Sequence, residues 1–488
     1  MNIELQKTKI THLVCTYENT LRREETAESV IPDTMPDAGS ILMTHAELLL
    51  RSKEIEDGRI GAGCTLEGTI LYAPEGEAGI CALHISAPIG FAFSDPGIGR
   101  EDTVRLTPEC VSAEARIINS RKVLLKAVVS MRAESFAERE CLIASDCADA
   151  SLRFLKKSAP IRFCTAVCEK TFVVAEDLVL PESAARIAEL LLCRSSCALE
   201  EIRTVAGKAV VQGHVWTELL YENESGKMEK REFSTPFSQI LDLTAGNELN
   251  VTLVKTAEYA DLLPEGEGVG LELHLAAQAA VSEEREISYL ADAYSCRCEC
   301  EIACEETSFA AYAERTQLRE TLRHRIELPG EAIACFVGRG AGTCREGAIR
   351  AVMPITWLSV TEEGFVLAST AAAECSFDMS GDEGAASFTV RALSAHITNA
   401  GAEWELTAEL IAEAEKAVKT SVNSLVSVQL DEEKPRDLSA CPSLLVVRFE
   451  DGDLWSLAKQ CASTPELIEQ ANPNGAEKGS FLLIPRSR

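Results

Sequence analysis

A chain of 488 residues is too long for one ordinary hydrophobic core and predicts three or four domains, each able to bury most of its unfolded surface. Its 46% hydrophobic and 25% charged residues make a globular mixture. The formal net charge of -30 lies almost wholly upstream of Leu444, since the stretch from there on carries five Lys/Arg against six Asp/Glu. A body this acidic repels nucleic acid and bare anionic lipid, which excludes both as electrostatic partners.

Met1 to Thr20 mixes Glu4, Lys7, Lys9 and Glu18 among short apolar pairs, without the continuous apolar core of a signal peptide. No later run approaches a membrane span. The nineteen cysteines are odd in number and sit mostly singly in apolar or alternating segments. They predict reduced thiols in a cytoplasm, without a disulfide framework.

Short helices are expected near Ile41 to Leu50 and Ala184 to Leu192. Most of the remaining body reads as strands. Val123 to Val129, Leu271 to Leu275 and Trp404 to Ala408 are apolar or alternating runs, and Glu222 to Gly226 and Glu362 to Gly364 have the composition of hairpin turns.

The body also repeats itself. Ser29-Val30-Ile31-Pro32 corresponds to Leu178-Val179-Leu180-Pro181 and to Ile326-Glu327-Leu328-Pro329, with the prolines 149 and then 148 residues apart. Gly68-Thr69-Ile70-Leu71-Tyr72 matches Thr217-Glu218-Leu219-Leu220-Tyr221, and Ala87-Pro88-Ile89 matches Thr235-Pro236-Phe237, at offsets of 149 and 148. The third copy keeps Trp357-Leu358, loses the tyrosine and is shorter. A period this long denotes domains rather than solenoid units. The expected boundaries are 1–145, 146–294 and 295–430, followed by a charged, proline-broken linker over 431–443 that opens with Asp431 to Asp437.

From Leu444 to Arg488 the pattern is strand, helix, helix, strand. Val446, Val447 and Phe449 form a β-prone run, and Asp453 is placed to cap a helix carrying Leu454, Leu457, Ala458 and Cys461. Thr464 and Pro465 begin a second helix with Leu467, Ile468 and Ala471, which Asn472-Pro473-Asn474-Gly475 ends. Phe481 to Pro485 closes the unit. The Gly452 to Ala458 run, Leu467-Ile468, Asn472-Pro473 and Leu483-Ile484-Pro485 at these spacings resemble the LysM module, a βααβ domain that usually binds N-acetylglucosamine polymers. The family commonly has Gly-Asp-Thr before Leu-Trp. Here Asp453 runs straight into Leu454, so the loop is one residue short.

The Leu-Pro strand ends, the Leu-Tyr strands, the Thr-Pro-Phe element and the terminal LysM-like unit together resemble the SPOCS proteins of endospore-forming clostridia. Lys170 to Val174, leading to Leu180-Pro181, is particularly similar. The resemblance implies a mainly β fold, with three tandem sandwich- or barrel-like SPOCS-type domains before a small βααβ LysM domain. It implies a spore-coat morphogenetic scaffold in the mother cell at the forespore surface. The implied partner is stage IV sporulation protein A, the ATPase that builds the coat's basement layer, or another coat protein.

Other motifs yield structural readings. Cys296, Cys298, Cys300 and Cys304 are the sharpest metal candidate, but Cys-x-Cys-x-Cys alternating with Arg297, Glu299 and Glu301 is the pattern of a half-buried strand, and zinc sites favour paired Cys-x2-Cys loops. Gly338 to Gly342 lacks the Lys-Ser/Thr of a phosphate loop, is not followed by a clear helix and reads as a mobile hairpin. His214 and His274 lie in apolar strands with no nucleophile motif beside them. No metal, cofactor or catalytic constellation is predicted, and the chain reads as a non-enzyme.

The candidate binding residues are those of the LysM groove loops: Gly452, Asp453, Leu454, Trp455, Asn472, Pro473 and Asn474. Asp453 is first a helix cap and second a ligand group. Trp455 lies beside the apolar stripe of its helix, where it either packs against the closing strand or stays exposed as a binding aromatic. Two functions follow: docking of the coat ATPase through the tail, or binding of peptidoglycan or chito-oligosaccharide.

Overall fold

The computed structural model describes residues 2–205, 207–242, 248–312, 315–379, 387–399, 403–436, 442–450, 453–473, 475 and 479–486. The chain is mainly β, and one strand scheme recurs three times along it. The first set is β1 (Gln6–Val30), β2 (Ala38–Glu56), β3 (Arg59–Pro74), β4 (Cys81–Ser94), β5 (Thr103–Asn119) and β6 (Lys122–Asp146). The second is β7 (Leu152–Val179), β8 (Ile187–Val205), β9 (Lys208–Asn223), β10 (Met228–Asp242), β11 (Glu248–Leu262) and β12 (Gly268–Ser295). The third divides its long strands and adds a short one: β13 (Cys298–Tyr312), β14 (Thr316–Ile326), β15 (Glu331–Val337), β16 (Ala341–Arg345), β17 (Ala348–Val360), β18 (Val366–Asp378), β19 (Ser387–Asn399), β20 (Trp404–Glu415) and β21 (Ala417–Pro435).

In each set the first strand pairs with the last, as β1 with β6, β7 with β12 and, in the divided third set, β13 with β21 and β14 with β20; β5, β11 and β19 flank β6, β12 and β20. The intervening strands form a meander, β2-β3-β4, β8-β9-β10, or β15 and β18 on either side of β17. The two sheets of a set face each other across a core. In the first, Ile60, Leu66, Ile70 and Tyr72 of β3 meet Leu125, Val129 and Met131 of β6. Strict alternation in β3, with Ile60, Ala62, Cys64 and Leu66 turned inward, is what fits it to a sheet with one covered face. A second cluster is shared among sets: Leu71, Leu220 and Leu358 come together with Met43, Leu192 and Phe336, so the three heads converge on one apolar junction.

The expected helices at 41–50 and 184–192 are instead parts of β2 and β8. Leu42 and Met43 feed the shared junction while Leu48 and Leu50 feed the head core, so β2 is buried on both faces and its apolar run mimics a helical stripe. Register shifts at Ala38/Ser40, Ile41/Met43 and Leu50/Ser52 also spoil its period of two. The shifts in β8, at Ile187/Glu189, Leu190/Leu192 and Leu199/Glu201, each fall 149 residues later.

Beyond the heads, the first and last strands of each set continue as a two-stranded ribbon. In the first two sets the transition is a bulge at Thr16 of β1 and at Thr165 of β7. Their hydroxyls donate to the Ser135 and Val281 carbonyls, at 3.3 and 3.2 Å. The three ribbons pack into a stalk around Ile10, Ile143, Ile161, Phe163, Ile287, Phe309 and Val422. Asp431 to Pro435, the expected start of the linker, instead continues β21 against β13, with Asp431 across from Glu299 and Pro435 across from Cys298.

Each pair of heads is joined by buried ions. Lys255 bonds to Glu47 of the first set as well as to Glu258 and the Ser195 carbonyl. Arg391 pairs with Glu413 at 2.6 Å and donates to the Cys197 carbonyl of the second set, and Arg132 reaches Glu415 of the third at 3.3 Å. No helix among the described residues is long and apolar enough to cross a membrane.

Candidate functional site

The C-terminal module comprises β22 (Leu444–Arg448), α1 (Leu454–Cys461), α2 (Pro465–Ala471) and β23 (Phe481–Pro485), with β22 antiparallel to β23. Asp453 is the N-cap of α1: its Oδ1 accepts from the Ser456 amide at 2.7 Å. Hydrogen bonds from Ser456 hold its carboxyl below the usual aspartate range. Ala462 takes a left-handed conformation, φ 53°, to end α1, and Thr464 then caps α2 by accepting from the Leu467 amide. Both caps use the residues whose side chains are chemically suited to that position.

Most of the expected groove residues have structural duties here. Asn472 donates to the Ile468 and Leu483 carbonyls, both at 2.7 Å, and accepts from the Leu483 amide, tying the end of α2 to β23. Leu454 packs in the module's core, and Pro473 is exposed. Gly452 and Asn474 lie outside the described residues.

Trp455 is half-buried where the module meets the body. Its Nε1 donates to Asp292 at 2.7 Å, and its ring meets Tyr294 edge-on with centroids 4.8 Å apart. Lys459, one turn on, pairs with both oxygens of Asp292. The Tyr294 hydroxyl donates to the Ser463 carbonyl at 2.8 Å, and Arg436 donates to the Lys459 carbonyl. Tyr294 and Cys296 thus complete a core with Ala458, Ile468, Leu482 and Ile484, and the end of β12 is the seat of the module. Sequence reasoning missed this seat because its halves are far apart in the chain.

Alternation divides the small sheet. Leu445, Val447, Leu482 and Ile484 face the helices, which leaves Leu444, Val446, Phe481 and Leu483 outward, exposed by 49, 62, 70 and 40%. Val446 pairs directly across from Leu483. The signal for this face was legible in the strands' period of two.

The other candidates are accounted for individually. Cys298 and Cys300 are half-buried beside the stalk core while Glu299 and Glu301 face solvent, and Cys304 is exposed. Among the described residues no group of three or more His, Cys, Asp or Glu is arranged to hold a metal ion. His214 pairs with Glu200 and His274 with Glu272. The expected mobile hairpin at Gly338–Gly342 is not formed: β15 and β16 each pair with β17 rather than with each other, and the Gly340 amide holds the connection to β19 through the Val390 carbonyl. Comparison with family models, with curated proteins and with solved structures returned no match.

Proposed function

We propose that the chain is a non-enzymatic scaffold of endospore coat assembly, with three SPOCS-like β-rich domains as platform and a LysM-like tail that docks a coat ATPase similar to stage IV sporulation protein A. It would act in the mother cell, at the forespore surface. The observation that carries this reading is the outward face of the β22–β23 sheet, where Leu444, Val446, Phe481 and Leu483 are exposed together. Adjacent aliphatic and aromatic groups suit the apolar centre of a protein interface. A sugar chain needs hydrogen-bond donors and acceptors around its hydroxyls; these four side chains supply none, and Arg448, across from Phe481 on the same face, adds donors only. Trp455, the aromatic of the groove loops, is engaged by Asp292 and Tyr294, which weighs further against a sugar ligand.

Titration of the full chain with a stage IV sporulation protein A homologue and, separately, with chito-oligosaccharides tests the proposal. Val446→Asp or Phe481→Asp is expected to weaken ATPase binding by about 2 kcal/mol or more, as for a central interface residue. Sugar binding in the absence of ATPase binding would overturn the scaffold reading in favour of peptidoglycan recognition.

A further inference from the structure

His12 on β1, Phe163 on β7 and Phe309 on β13 occupy corresponding strands of the three ribbons and meet inside the stalk. The imidazole lies 6.3 Å from the Phe163 ring and 5.2 Å from the Phe309 ring, and the two phenyl rings are 6.0 Å apart. Two sets therefore supply phenylalanine to this layer, and the first supplies the one titratable member. His12 is only 6% exposed, and its Nδ1 has no hydrogen-bond partner among the described residues.

We propose that the His12–Phe163–Phe309 layer is a proton-operated joint of the stalk, closed while the imidazole is neutral and loosened when it takes up a proton. A neutral ring packs among two phenyl rings as an apolar neighbour. An imidazolium there would be a charge removed from water with no carboxylate to meet it.

The groups on the surrounding strands support that sign. On β1 itself the polar neighbour is the Ile10 carbonyl. Across β6 the register partner is Arg139, a cation. Strands β7 and β13 present the phenyl rings. On β12, Arg285 lies over the Phe163 ring at 5.4 Å and pairs with Glu283, while β21 presents Val422 and Thr420, the latter bonded to the Arg162 backbone. Cation–π attraction to the phenyl rings returns part of the cost.

Burial accordingly lowers the imidazole's pKa below its ordinary 6.5, against the smaller opposing effect of the Ile10 carbonyl. The folded stalk then binds the proton less readily than the unfolded chain does. Its stability is whole above pH 6.5 and declines as the pH falls below that value.

Hydrogen exchange of stalk amides, corrected for intrinsic rates and followed from pH 7.5 to 5, tests the joint in the full chain alongside His12→Phe and His12→Gln. Wild-type protection is expected to fall relative to both variants by up to about tenfold per pH unit below 6.5. The His12 ring, followed by NMR in the wild type, is expected to titrate below 6.5. Parallel exchange profiles in all three proteins, or a ring titrating at or above 6.5, would overturn the proposal. The ring titration decides the matter even where a variant does not fold.

Discussion

Trp455 donates its indole N–H to the Asp292 carboxylate at 2.7 Å, joining α1 to the end of β12 across 163 residues of sequence. Lys459 shares the same carboxylate, so Asp292 holds two points on one face of α1. Asp292→Ala is expected to destabilise the seated module by about 1.5–3 kcal/mol, the range for hydrogen bonds to a charged group. A double-mutant cycle with Trp455→Phe should give a coupling of about 1 kcal/mol or more, read from hydrogen exchange of α1 amides in the full chain. Additive effects would mean that the bond does not hold the module down.

Gln278 acts as a strut between the first two heads. Its side-chain amide accepts from the Leu106 amide and donates to the Leu106 carbonyl, both at 3.2 Å, and it is 1% exposed. Removing it leaves two buried backbone groups unpaired. Gln278→Ala should therefore cost about 2–5 kcal/mol in denaturant unfolding, and Gln278→Leu should recover little of it, because shape is restored without the hydrogen bonds.

Lys255 lies between two carboxylates. Burial opposes every charge in the cluster and is the largest single effect at Glu47, yet Lys255 and His45 together outweigh it and lower that pKa, while burial and the Glu47 charge together raise that of Glu258. Lys255→Met leaves the two acids facing each other without the ammonium between them, His45 alone remaining beside Glu47, and should cost about 3–5 kcal/mol at pH 7. In the variant both carboxyls would titrate above their unfolded values, so the folded state takes up protons first. The deficit should shrink as the pH falls from 7 toward 5. A deficit that stays constant with pH would place the loss in packing.

Asp453 offers an opposite pH signature. Because Ser456 lowers its folded-state pKa, the cap's contribution is present above the ordinary value of 3.8 and is lost as the pH falls through the lower folded value. Asp453→Ala is expected to cost about 1 kcal/mol at neutral pH. The difference from wild type should close in strong acid, as monitored by exchange of the first-turn amides of α1.

Local order was legible in the sequence, because the causes are local. The alternation of Ile60, Ala62, Cys64 and Leu66 marks a strand whatever it packs against. Asp453 and Thr464 cap helices through amides three residues away. The 149-residue spacing of Pro32 and Pro181 marks equivalent turns, in which the prolyl carbonyls accept from the Met35 and Ala184 amides. What the tertiary structure decided depends on distant partners. The apolar run of β2 became a strand because two different cores cover its two faces, whereas periodicity records only that the run is apolar. Trp455 became a seat contact rather than a free aromatic because Asp292 and Tyr294 arrive from another part of the fold. His12, one dispersed histidine in the sequence, acquires its surroundings only when three ribbons bring Phe163 and Phe309 beside it, since burial is a property of packing.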